Sequence, residues 1–180
     1  TGPADGLTWL LEVAPILLMA PILVVTYRRY RLTPLLYRCL FLHAVILMVG
    51  AHYTYAQVPL GFWLQDALDL TRNHYDRLGH FAQGFVPAIL AREILLRWSD
   101  AGRSKLLPFL VVSICLAFSA FYELIEWWSA LIYGAEAEQF LETQGDVWDT
   151  QWDMFFAMIG AITALLILGR LHDRQLAKLK

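Results

Sequence analysis

Apolar residues run almost unbroken through five windows of the chain, 7–27, 35–51, 78–96, 106–133 and 152–171, and polar residues gather in the connections and outermost turns. A helix crossing a bilayer needs about 20 mostly apolar residues, and each window meets or approaches that length. The pattern predicts an all-α, polytopic transmembrane bundle of about five spans, forming one domain over 1–180. Pro15, Pro21 and Pro87 fall inside the windows, and membrane helices tolerate such kinks when neighbouring groups satisfy the freed carbonyls. The stretch 61–70 (GFWLQDALDL) mixes bulky apolar residues with Asp66 and Asp69 and is too short to span. It reads as a helix lying in the interface, and 135–142 as a second short helix.

Composition agrees. With 58% hydrophobic side chains among 180 residues, the chain carries more apolar surface than one soluble domain hides. The first window is long, contains Glu12 and has no basic stretch before it, so it reads as a retained span and not a cleaved signal. The chain begins with Thr1, which points to a segment upstream, such as a further helix. Cys39 and Cys115 lie inside predicted helices without CxxC spacing, so neither a disulfide framework nor a thiolate metal site is expected.

The net charge of -2 conceals a segregation. Twelve of the fourteen Lys and Arg residues fall in the first and third connections and the C-terminal tail, the exceptions being Arg72 and Arg77. Thirteen of the sixteen acids lie at the opposite end, leaving Glu93, Asp100 and Asp173 among the bases. Short basic loops stay in the cytoplasm. The expected topology therefore has the visible N-terminus outside, the C-terminus inside, and the connections 53–77 and 134–149 on the extracytoplasmic face of a bacterial inner membrane. Trp63, Trp127, Trp128, Trp148 and Trp152 at the acidic end fit an aromatic belt.

Nine ionisable residues collect at that end: His52, His74, Asp76, His80, Glu123, Glu126, Asp146, Asp149 and Asp153. Ionisable groups in or beside a span are costly, and a one-sided cluster points to function. In RNHYDRLGHFAQG, Asp76 and His80 stand four apart and share a helical face, though a histidine bonded to a neighbouring helix would look the same. In FYELIEWW, Glu123 and Glu126 approach a helix C-terminus, where the macrodipole repels anions, so they need a proton or a cation; a buried ion pair between Glu123 and Arg77 is the plainest version. In TQGDVWDTQWD, Asp146 and Asp149 resemble a capping box, which leaves Asp153 one turn deeper unexplained. Arg92 and Glu93 read as snorkelling residues at the inner end. Glu12 and His43 belong to no sequence pattern.

Carboxylates and imidazole from three helices at one depth suit a divalent metal such as Zn, Mn, Fe or Mg. The expected metal ligands are Asp76, His80, Glu123, Glu126, Asp149 and Asp153. His80, Glu123 and Asp153 are the candidate catalytic groups, and His52, His74, Arg77 and Asp146 the candidate substrate or ion-pairing groups. No HExxH, GxSxG or Walker motif is present, and no basic aromatic patch suits nucleic acid.

The phrases HYTYAQVPLGFW, RNHYDRLGHFAQGFVP, FYELIEWW and TQGDVWDTQWDMFFAMIGA closely resemble the YjdF-like family of bacterial inner-membrane proteins. More distantly, DRLGHF, FYELIEW and Asp153 ahead of Gly160 look like the VanZ-like pattern, in which an Asp-Glu pair and a Gln stand where Tyr122, Glu123 and Glu126 stand here. The resemblance implies a small helical bundle and no particular chemistry. The functional expectation is a pocket, open to the outer leaflet, that binds a divalent metal and an anionic envelope lipid or lipid-linked substrate, as in a metal-dependent membrane enzyme. Membrane lipids, a second copy or another membrane protein are the expected partners. The alternatives are a proton- or cation-coupled transporter, which needs a polar path to the inner face where the sequence is almost wholly apolar, and a scaffold held by ion pairs.

Overall fold

The computed structural model describes residues 2–99, 102–134 and 143–179. Among them the chain forms six α-helices and no strand: α1 (Gly6–Thr26), α2 (Pro34–Tyr53), α3 (Pro59–Leu68), α4 (Tyr75–Trp98), α5 (Leu106–Tyr133) and α6 (Asp149–Leu176), with a 3-10 turn at Tyr55–Gln57 between α2 and α3. The short helix expected over 135–142 lies outside the described residues.

Local signals set the helix starts. Asp5 caps α1 by accepting from the Thr8 amide at 2.6 Å. Thr33 caps α2 by accepting from the Leu36 amide, and Pro34 fills the first position, where no amide proton is needed. The interfacial helix appears as α3, with Leu60, Phe62, Trp63, Leu64 and Leu68 all exposed. A helix with that much uncovered apolar surface matches a position among lipid headgroups.

Four helices are long and apolar enough to cross a membrane: α1, α2, α5 and α6. The fifth expected span, α4, has 24 residues and a matching length of about 36 Å, but is too polar to qualify on composition. The reason is its position. It is the central helix, packed against α2, α5 and α6, and its charged residues Asp76, Arg92 and Glu93 are buried in the bundle. The outer helices instead turn Leu18, Val24, Val25, Phe41, Phe109, Phe118, Leu166 and Ile167 outwards.

The α4–α6 contact is made by small residues. A Cβ on Gly84 would overlap the Ala157 carbonyl, and one on Gly160 would overlap the Phe81 carbonyl, so the two backbones touch. Such close approach is how membrane helices gain packing energy where no hydrophobic drive acts between them. Towards the basic end, Leu32, Leu36, Ala88, Ile89, Leu107, Val111, Cys115, Ala161 and Ala164 form an apolar core.

Below that core lies a buried polar network. Glu93, fully buried, accepts from the Thr33 amide (3.2 Å) and hydroxyl (2.8 Å), from Arg97 (2.8 Å) and from His172 Nε2 (3.0 Å). Arg92 donates to His172 Nδ1 at 2.9 Å and pairs with Asp173 at 2.7 Å. Accepting at Nδ1 fixes the tautomer: the His172 proton sits on Nε2, facing Glu93. Arg92 and Glu93 therefore do not snorkel. They tie the start of α2 to α4 and α6, and they interrupt an inner end that reads in sequence as almost wholly apolar.

Candidate functional site

At the acidic end the same geometry places a second polar cluster. His80 lies four positions before Gly84, and Asp153 four before Ala157, so the touching backbones hold His80 and Asp153 face to face one turn higher. Asp76 and His80 share a face of α4, with Nε2 of the ring 3.4 Å from Asp76 Oδ1. From α5, Glu123 Oε1 stands 3.8 Å from His80 Nδ1. One ligand atom each from Asp76, His80 and Asp153 fall within 4.8 Å of one another, and so do atoms from His80, Glu123 and Glu126.

These side chains are enclosed, with Asp76, His80, Glu123 and Asp153 all buried. Yet His80 Nδ1, Glu123 Oε1 and Asp153 Oδ1 have no hydrogen-bond partner among the described residues, and neither does Ser119 Oγ one turn below Glu123. Orphaned buried polar atoms carry a penalty of about 1–3 kcal/mol each, more when charged. His80 Nδ1 and Glu123 Oε1 stand 3.8 Å apart, and Asp153 shares the other ligand triad with His80, so the orphaned atoms lie around one imidazole.

The arginines do not fill it. Arg72 bonds Asp149 at 2.7 Å, reaches Asp146 at 3.5 Å and donates to the Thr143 carbonyl at 3.0 Å. Arg77 bonds Asp146 at 2.8 Å, lies 3.8 Å from Asp149, and covers the Trp152 and Phe156 rings at 5.2 and 5.9 Å. Arg77 is thus the partner of Asp146, not of Glu123. Asp149, expected among the metal ligands, is engaged by Arg72 and belongs to neither ligand triad.

The capping-box reading is corrected too. Trp148 is the residue before α6, and Asp146 Oδ1 accepts from the Trp148 amide at 2.9 Å, an Asx turn that leads the chain into the helix. That backbone bond, with Arg77 beside it, holds the Asp146 carboxyl below its ordinary value.

His74 precedes α4, half-buried, with Nδ1 unpartnered. With Arg77, Leu78, Phe81 and Phe156 it lines an open groove of about 360 Å³ on the flank of α4 and α6. Burial, then the nearby Arg77 and Arg72 charges, hold His74 below the ordinary histidine range. His52 is not drawn into the cluster: its ring packs edge-on to Tyr53 and its carbonyl accepts from the Ala4 amide.

Sequence reasoning missed four contributors. Glu12 of α1 is buried and within electrostatic reach of Tyr55, Tyr122 and Glu126, so the site extends to a helix that carried no motif. Tyr122 meets the His80 ring edge-on at 6.5 Å. Asn73 donates to the Ala56 and Val58 carbonyls and accepts from the Tyr75 amide, while Gln144 bonds both the amide and carbonyl of Asn73. These amides lock the two connections together above the site. Only their place inside the RNHYDR and TQGD phrases gave any signal.

Comparisons with known proteins fit this architecture. A family model described as "Predicted membrane protein (DUF2238)" matches residues 1–174. The "Inner membrane protein YjdF" of Escherichia coli (strain K12) is 58% identical over 174 residues, which is 97% of this chain and 83% of that protein. No solved structure matches.

Proposed function

The chain belongs to the DUF2238 family of membrane proteins and is a multi-pass protein of the bacterial inner membrane, and from that premise we propose that its acidic end is a divalent-cation site acting on an anionic envelope lipid or lipid-linked substrate. One observation carries the reading: His80 Nδ1, Glu123 Oε1 and Asp153 Oδ1, on three helices, are buried without hydrogen-bond partners among the described residues, and their residues fall into two ligand triads that share His80. A divalent cation bound at such a triad would satisfy orphaned atoms there and offset carboxylates whose charge Arg72 and Arg77, bonded to Asp149 and Asp146, balance only in part. The mixed oxygen and nitrogen donors suit Zn, Mn or Fe, and Mg less well.

An ion held by these residues would neutralise a phosphate and polarise its oxygen, the chemistry of a metal-dependent membrane enzyme. His80 and Glu123 are placed to hold or move a proton. The groove lined by His74, Arg77, Leu78, Phe81 and Phe156 joins a cationic rim to an apolar wall, as a lipid headgroup and its first methylenes require. Basic connections at the other end favour the site facing away from the cytoplasm.

Metal analysis and lipid mass spectrometry of gently purified protein test the proposal together. Wild-type protein is expected to carry a divalent metal and an anionic lipid, and His80→Ala, Glu123→Ala and Asp153→Ala to carry less metal and lose the lipid while keeping native helicity. Unchanged metal in those variants overturns it.

A coupled transporter is the second reading, favoured by the Glu93–His172–Arg92 network at the basic end. The core around Ile89, Val111, Cys115, Ala161 and Ala164 lies between the two clusters and counts against a continuous path. Cation flux in proteoliposomes, lost in Glu126→Gln, would reverse the order of the two readings.

A further inference from the structure

We propose that the acidic-end site is a two-cation centre: the His80 ring stands between a first ion held by Asp76 and Asp153 and a second held by Glu123 and Glu126. This rests on the cation-binding reading above and goes beyond it in stoichiometry and in ligand assignment.

Four observations converge. The ligand geometry falls into two triads, each compact to within 4.8 Å, and His80 is the residue common to both. The ring presents different nitrogens to the two sides, Nε2 towards Asp76 Oδ1 at 3.4 Å and Nδ1 towards Glu123 Oε1 at 3.8 Å. The unpartnered atoms divide the same way, Asp153 Oδ1 with the first triad and His80 Nδ1 with Glu123 Oε1 in the second. Their residues are 3%, 6% and 8% exposed, so bulk solvent does not reach the places of the missing partners.

Charge supplies the fourth. Asp76, Glu123, Glu126 and Asp153 surround one imidazole, Glu12 stands beside them, and the nearest cations, Arg72 and Arg77, bond Asp149 and Asp146. One divalent ion balances two of these carboxylates and leaves the rest repelling one another at low dielectric. Two ions balance four.

Each triad offers one nitrogen and two carboxylate groups, the donor number of an open site that keeps a position for water or substrate oxygen. Bond formation is balanced by proton release. A neutral imidazole has one free nitrogen lone pair, so coordinating the second ion breaks the remaining ring N–H bond, and that proton leaves to solvent. No electron changes hands.

The test uses the full chain in detergent or nanodiscs, equilibrated with Mn²⁺ or Zn²⁺, freed of excess ion and analysed for metal per chain. Two ions are expected in the wild type. The paired amide variants Asp76→Asn/Asp153→Asn and Glu123→Gln/Glu126→Gln, which preserve side-chain volume, are each expected to keep one. One ion in the wild type overturns the two-cation centre and leaves the cation site standing; none overturns both. Two ions surviving in the Glu123→Gln/Glu126→Gln protein would put the second ion elsewhere, and the proposal would fail. Should a variant fail to fold, the Mn²⁺-loaded wild type decides alone: its electron paramagnetic resonance shows spin-coupled manganese if the ions flank one ring, and an isolated-ion spectrum counts against the proposal.

Discussion

Gly84 of α4 lies directly against the backbone of Ala157 of α6, and this contact sets the separation of His80 and Asp153 one turn above. Gly84→Leu must force the helices apart. Overpacking costs about 1–3 kcal/mol, and the displaced carboxylate is expected to cost the site its metal as well. Thermal unfolding in detergent with metal analysis checks both, and a Gly84→Leu protein of unchanged metal content would separate the helix contact from the site.

The Arg72–Asp149 pair is buried on both sides, with side-chain exposures of 9% and 5%. Removing Arg72 leaves the buried Asp149 charge with only the 3.8 Å contact to Arg77, so Arg72→Ala is expected to destabilise by roughly 3–5 kcal/mol. Adding Asp149→Asn should restore most of that loss. Denaturation midpoints of the two single variants and the double variant measure the coupling.

Glu93 organises the opposite end through Thr33, Arg97 and His172. Glu93→Ala removes the shared acceptor, leaving the buried Thr33 amide and His172 Nε2 without it while Arg97 keeps the Arg31 carbonyl, and is expected to cost about 3–5 kcal/mol. Metal content at the acidic end is expected to stay at the wild-type level, because the apolar core separates the two clusters. Metal lost in a Glu93→Ala protein that remains folded would show that the two ends are linked.

His74 gives a pH signature. Burial and the neighbouring arginines depress its folded value below 6.5. The unfolded chain therefore takes up the proton first, and stability falls as pH drops through about 6.5, levelling off below the folded value. Asp146 is also depressed, and its contribution is lost only as pH falls towards 3.8 and below. In His74→Gln the stability slope just below neutrality is expected to flatten while the acidic limb remains. Tm measured against pH from about 7.5 down to about 2.5 reads the two limbs separately.

The five long helices and α3 are legible in the sequence because apolar runs of spanning length leave little choice of structure. What the runs do not disclose is their packing order. The composition of α4 carries the hint, since a helix too polar for lipid on its own survives only when other helices enclose it. The meeting of Asp76, His80, Glu123 and Asp153 is legible for a related reason: acids that capping or snorkelling cannot satisfy must find each other.

Pairings between distant loops were not legible. Arg77 sits equally well beside Glu123 or Asp146 on spacing alone, and the choice depends on how the 143–148 turn folds over α4. Glu12 and His172 stand alone in their segments, without the local repetition that makes a motif visible. Their partners lie on other helices, so only the folded chain brings Glu12 near Tyr122 and His172 to Glu93.

The apolar core between the two polar clusters also acts as an electrical insulator. A membrane that stores energy as an ion gradient tolerates a charged centre only if the remaining thickness stays leak-tight. Leu36, Ile89, Val111 and Ala164 provide that plug. Ions bound at the proposed site would then enter and leave from one side of that core.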